Sequence, residues 1–249
     1  MTTWWRLSAG LFWLCAVLLL PVLVWQGRRV RRDTLRLPEA SGATSGQWGA
    51  GDPQRRILVI GESTAAGVGV DRHEQGLASE LARALHDADG GVTRWHTVGH
   101  NGARLDQLSA GLAVASLPDA DTVLLSMGVN DTTAFTGLAH YRGRLLRLRE
   151  QLRDRFSAPL VLLSVPPMHR FTALPQPLRL MVGWRARLLD GVKKQLARHS
   201  PEAFVHISYP ALTDPALLAR DGYHPGADGY RAMAAAVACA LVERGPSGP

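Results

Sequence analysis

Five short apolar runs, 56–60, 95–98, 122–127, 160–165 and 203–208, recur through the chain, each four to six residues long and mostly apolar at successive positions. Such runs leave no face for water, the pattern of strands buried on both sides in a parallel sheet. Between them lie segments of helical period, each with one apolar stripe: Leu77, Leu81 and Leu85; Leu105, Leu108 and Leu112; and Leu138, Tyr141, Leu145, Leu148, Leu152 and Phe156. A last helix is expected over 227–242, with Tyr230, Met233, Val237 and Leu241 inward. Strands alternating with helices predict one three-layer α/β/α sandwich over 55–243 with a five-stranded parallel sheet. Its reactive groups should gather at the carboxyl ends of the strands. No internal repeat or second globular unit is visible, and 244–249 reads as a tail. The two cysteines, Cys15 and Cys239, are too few and too far apart for a disulfide framework or a cysteine-ligated metal site.

The first fifty residues are a different kind of sequence. From Leu7 to Trp25 no residue is acidic or basic, and as a helix that stretch is long enough to span about 30 Å of hydrocarbon. Trp4, Trp5 and Trp25 flank it, and five arginines follow between Arg28 and Arg36. The expectation is therefore one N-terminal transmembrane helix within 1–27 and single-pass attachment to a membrane. The arginine count places the basic flank, and with it the body, on the cytoplasmic side; the opposite topology stays open. A cleavable signal peptide fits less well, because 24–27 offers no small-x-small site. The segment 28–54 reads as a basic juxtamembrane stretch and then a flexible tether rich in Gly, Ser, Ala and Thr.

The net charge of +7 gives no ground for a nucleic-acid partner. Six arginines against Asp33 and Glu39 put more than half of it in the first fifty residues, while from residue 51 onward 22 basic groups face 19 acidic ones. The arginine-rich segment 142–155 carries no aromatic interleaving and reads as the solvated face of a helix.

Three of the runs end in small or amide residues. The first leads into Gly61-Glu62-Ser63-Thr64-Ala65-Ala66-Gly67, the second into Gly99-His100-Asn101-Gly102, and the third into Gly128-Val129-Asn130-Asp131. The first block lacks the Lys-Ser/Thr pair of a phosphate loop and the second glycine of a G-x-S-x-G elbow. Taken singly, Ser63 or Thr64 is as easily a helix cap, and each later block a tight turn. Glycine N–H groups and an asparagine amide at one sheet edge do, however, make an oxyanion hole possible. Near the C-terminus, Asp221 precedes His224 by three residues, a spacing at which a carboxylate orients an imidazole. The remaining histidines, His169 and His206 among them, read as ordinary core or surface groups.

In this order and at these strand ends, the four blocks resemble the SGNH hydrolase superfamily, the GDSL-type esterases and lipases. The resemblance runs over about 56–242 and implies a flavodoxin-like α/β domain. It implies Ser63 as nucleophile, Asp221 and His224 as the rest of a catalytic triad, and Ser63, Gly102 and Asn130 as the oxyanion hole, with no metal and no cofactor. It further implies a hydrolase that cleaves carboxylic esters or thioesters through an acyl-enzyme. The family's usual Gly-Asp-Ser is Gly-Glu-Ser here, which puts in question the hydrogen bonds of the shorter carboxylate. The proline-broken apolar segment 171–184, with Phe171 and Leu174, reads as a substrate-binding wall or lid, or equally as a helix packed on the sheet. Beside a membrane helix a lipid-like acyl ester is expected. A carbohydrate O-deacetylase of the same fold and a non-catalytic membrane-anchored binding module are the alternatives.

Overall fold

The computed structural model describes residues 3–208, 212 and 214–244; of the expected tail, 245–249 lie outside the described residues, as does the side chain of Trp4. The elements in chain order are helices α1 (Thr3–Leu18) and α2 (Leu20–Asp33), strands β1 (Ser45–Trp48) and β2 (Arg55–Gly61), and helix α3 (Leu77–Asp89). Strand β3 (Thr93–Gly99), α4 (Leu105–Val114), β4 (Thr122–Ser126), α5 (Val129–Thr133), α6 (Leu138–Arg153) and β5 (Leu160–Leu163) follow. The chain continues with α7 (Leu178–His199), β6 (Phe204–Ile207) and α8 (Ala227–Val242).

The five expected strands form β2 to β6. They run parallel in the order β3-β2-β4-β5-β6, so β2 lies inside the sheet and the chain reverses direction across it between β3 and β4. Strand alternation assigns the side chains to two layers. Leu58, Ile60, Leu125 and Leu162 pack against α4, α6 and α7 on one face. Ile57, Val59, Leu124 and Val161 pack against α3 and α8 on the other.

The sheet has six strands, not five, and is mixed rather than purely parallel: β1 adds to β3 antiparallel at the edge. It arises from the segment expected to be a tether. Ser-Gly-Gln-Trp gives no apolar run, because an edge strand needs only backbone pairing on one side. Gly46 is there for space, since a Cβ at that position would come within 2.8 Å of the Trp95 ring.

The expected straight transmembrane helix is also corrected. Among the described residues no single helix is long and apolar enough to cross a membrane; α1 and α2 are instead bent by 80° about Leu19. Pro21 lies in the first turn of α2 and cannot donate a backbone N–H to the preceding turn, which ends α1 there. The bent pair lays one side on the body. Phe12 is fully buried against Trp184 and Phe135, with the Arg185 guanidinium over its ring at 5.7 Å. Trp184 Nε1 donates to Ser8 Oγ at 2.9 Å. The Gln26 amide, also buried, bridges to α7: its nitrogen donates to the Gln176 carbonyl at 2.6 Å and its oxygen accepts from Leu178 N–H at 3.0 Å. The opposite side of the pair exposes Leu7, Leu11, Leu14, Val17, Leu18 and Trp25.

Candidate active site

At the carboxyl end of β2 the chain turns sharply through Glu62 and Ser63 into a loop held by short backbone bonds, among them Ala66 N–H to Glu62 O at 3.0 Å and Val68 N–H to Ser63 O at 3.0 Å. Thr97 Oγ1, on β3, donates to Ala65 O at 2.6 Å and fixes the loop to the sheet. Ser63 is 8% exposed. Among the described residues the backbone N–H groups of Ser63 and Gly102 donate to no carbonyl, which leaves both free to meet an incoming oxygen. Gly102 takes a left-handed φ of +80° and is exposed.

The histidine loop reaches the same place from the far end of the chain. Asp221 Oδ2 accepts from His224 Nδ1 at 2.6 Å, while its Oδ1 accepts from the backbone N–H groups of Tyr223 and His224 at 3.0 and 3.1 Å. Burial works to raise the Asp221 carboxyl, but these bonds from His224 and the two amides outweigh it and hold it below the usual range. The aspartate side chain is 2% exposed and the imidazole 26%, so the carboxylate is shielded from water while the ring stays open to it. With Nδ1 carrying the proton, Nε2 is left to accept. The serine and histidine loops meet at Gly69, whose φ is +107° and whose missing Cβ would lie 2.2 Å from Pro225 O and 3.3 Å from His224 Cβ. Only glycine takes that backbone shape at that closeness.

The Glu62 question raised by the sequence has a geometric answer. Its carboxylate accepts from Val129 N–H at 2.8 Å, Asn130 N–H at 3.0 Å and Asn130 Nδ2 at 2.6 Å. The extra methylene lets one carboxylate span two successive amides at the start of α5. Burial pushes its pKa up to about 7, against the opposing pull of those N–H groups and of Lys193. Asn130 Nδ2 also donates to Ala103 O at 3.1 Å, so the amide is positioned by loops from β2 and β3 together.

Behind these blocks lies a buried polar layer that sequence reading did not find. Asp131 accepts from Leu105 N–H at 3.0 Å and Thr136 Oγ1 at 2.8 Å, anchoring α4. Lys193, fully buried on α7, donates to Met127 O at 2.5 Å and Leu163 O at 2.6 Å, closing the ends of β4 and β5; desolvation lowers its pKa to about 8. His206 is paired with Asp190 at 3.0 Å, away from the cavity. The only signal available beforehand was the placing of Asp190 and Lys193 among apolar positions of a helix.

Ser63, Asn130, Asp221, His224, Phe171 and Leu174 all line one cavity of about 970 Å³, at the upper end of the usual ~300–1,000 Å³ for small-molecule sites. Gly102 is not on its wall; the neighbouring Asn101 is. The segment 171–184 divides: its first half is a loop on the cavity, with Phe171 edge-on to Tyr223 at 5.9 Å, and its second half opens α7 against the sheet. One side of the cavity is supplied by the bent N-terminal helices, with Trp13, Leu20, Leu23, Val24 and Leu35 facing it.

The architecture is that of a hydrolase scaffold, and comparison with known proteins agrees. Residues 59–232 match the GDSL-like lipase/acylhydrolase family, to which the chain belongs. It is 31% identical over 183 residues to the GDSL-like esterase Rv1075c of Mycobacterium tuberculosis, a match covering 70% of this chain and 57% of that protein, so the chain spans little more than half of that relative. Among solved structures, TesA superposes with a TM-score of 0.58 at 20% identity, covering 75% of this chain and 98% of TesA. A lipase/acylhydrolase from Enterococcus faecalis gives 0.56 at 20% identity, covering 79% and 100%. The acetylxylan esterase Axe2 from Geobacillus stearothermophilus gives 0.51 at 17% identity, covering 77% and 94%. These structural likenesses concern the fold.

Proposed function

We propose that the chain is a serine ester hydrolase working through an acyl-enzyme, with Ser63 as nucleophile, His224 as general base and then acid, and Asp221 as its orienter. The observation that carries this is the 2.6 Å Asp221–His224 bond on the wall of the cavity that Ser63 also lines. Ser63 Oγ bonds to the ester carbonyl carbon while His224 Nε2 takes its proton, and the carbonyl electron pair moves onto oxygen. The N–H groups of Ser63 and Gly102 and the Asn130 amide meet that charge; Asn130 turns toward it by giving up one of its two present acceptors. As the carbonyl re-forms, the C–O bond to the alcohol breaks, and His224 hands its proton to the leaving oxygen. Water then repeats the sequence on the acyl-enzyme.

The substrate we favour is an ester with an apolar acyl chain, because most residues on the cavity wall are apolar, Leu and Val the commonest of them. On p-nitrophenyl esters kcat/KM should rise from acetyl through hexanoyl or octanoyl. A steep preference for acetyl would favour the carbohydrate deacetylase reading, with which the likeness to an acetylxylan esterase is in keeping only at the level of fold.

The membrane is proposed as the place of work. Exposed Leu, Val and Trp on the bent pair beside Arg28, Arg29, Arg31 and Arg32 suit insertion at an anionic bilayer surface, whether the pair lies in the interface or crosses it. The arginines then favour the cytoplasmic face. The full chain is expected to float with vesicles containing phosphatidylglycerol; a chain left entirely in the soluble fraction would contradict this.

A further inference from the structure

The five arginines after the apolar stretch are not equivalent. Arg29 and Arg32 pair with Asp33 at 3.5 and 2.8 Å. Arg28, Arg31 and Arg36 have no acidic partner among the described residues, and these three line the cavity that holds Ser63 and His224. All three are exposed, which puts them where the cavity meets solvent. The other charged groups on its wall are already committed: Glu62 is buried under three N–H donors, and Asp221 is bonded to His224. The rim is therefore cationic and the interior apolar.

The chain that carries these arginines is fixed to the site's loops by the stretch that follows α2. The Glu39 carboxylate accepts from Asn101 N–H at 2.6 Å, beside Gly102. Ala40 N–H donates to Ala66 O at 3.0 Å in the serine loop. A substrate entering the cavity thus meets α2 as a built part of the site.

We propose that the bent α1–α2 pair and the stretch that follows it are the specificity element of the enzyme: they cover the acyl chain and, through Arg28, Arg31 and Arg36, select esters that also carry an anionic group such as a phosphate. This rests on the ester-hydrolase reading. A guanidinium is always charged and matches the phosphate oxygens with paired N–H donors, so the selection should act on phosphomonoesters and phosphodiesters alike.

The test compares wild type with Arg28→Gln/Arg31→Gln/Arg36→Gln on two esters of equal chain length in the same mixed micelles, 1-decanoylglycerol-3-phosphate and 1-decanoylglycerol. p-Nitrophenyl decanoate serves as the uncharged control, and decanoyl-coenzyme A as a second, soluble source of phosphate. Wild type should prefer the phosphorylated glycerol ester, and the triple variant should lose about tenfold of that preference. The preference is read as the ratio of the two glycerol esters within each protein, so a general change in turnover, followed with p-nitrophenyl decanoate, cancels from it. Loss confined to decanoyl-coenzyme A would keep the anion selection and assign it to a soluble thioester. An equal ratio for the two glycerol esters in wild type, with no response of either phosphorylated substrate to the triple change, would overturn the proposal. Failure of wild type on p-nitrophenyl decanoate itself would instead remove the hydrolase reading on which the proposal stands.

Discussion

Ser63→Ala protein is expected to lose p-nitrophenyl ester hydrolysis by on the order of 10⁴-fold or more while keeping its fold. Thr64, the adjacent candidate, has its Oγ1 engaged with Ser126 Oγ on β4. Alanine removes one oxygen from a position that is 8% exposed on a cavity wall and leaves the backbone bonds of the loop intact, so the melting temperature should change little. Turnover within a hundredfold of wild type would mean that the nucleophile is elsewhere. A protein that loses activity and thermal stability together would point to a structural hydroxyl.

Asp221→Asn should cost about 10⁴-fold in kcat through the imidazole tautomer. In the native loop one carboxylate oxygen takes the Nδ1 proton of His224 and the other takes two backbone N–H groups. Asparagine satisfies the backbone with its oxygen and then presents an NH₂ to Nδ1. That bond needs Nδ1 bare, which moves the ring proton to Nε2, the atom that must accept from Ser63. The loop survives while the base is lost. Measured by stopped assay on a short-chain ester, kcat within tenfold of wild type would rule out this orienting role. Its three donors hold the aspartate below the usual carboxylate range, which keeps the orienting charge in place to lower pH than a free carboxylate would.

The legibility of this molecule varied with the physics of each part. Strands β2, β4 and β5 announce themselves because burial on both faces demands consecutive apolar residues, as in Ile57–Ile60, whereas β3 and β6 are only partly buried and carry polar positions such as His96 and His206. Asp221 and His224 are legible because both lie on one turn, three positions apart. Strand β1 is not, because an edge strand is specified by backbone pairing and by the space Gly46 leaves over Trp95. The bend at Leu19 hides inside a uniformly apolar stretch, where a membrane helix and a helix lying on a protein share the same composition; Pro21 and the buried Gln26 were its only marks. Glu62 reads in the chain as a departure from Gly-Asp-Ser, and its sense appears only when Val129 and Asn130, sixty-seven and sixty-eight positions away, come within reach of it. The N-terminal wall of the cavity was invisible for the same reason, since it depends on how two helices dock and not on their own pattern.

The central claim is that the residue 63 hydroxyl is an activated nucleophile, and covalent labelling addresses it most directly. Wild-type protein treated with a fluorophosphonate, digested and read by mass spectrometry should carry one adduct, on the peptide containing Ser63. Prior unfolding in denaturant should abolish it. An adduct on another residue, or no adduct on folded protein that still turns over esters, would contradict the account.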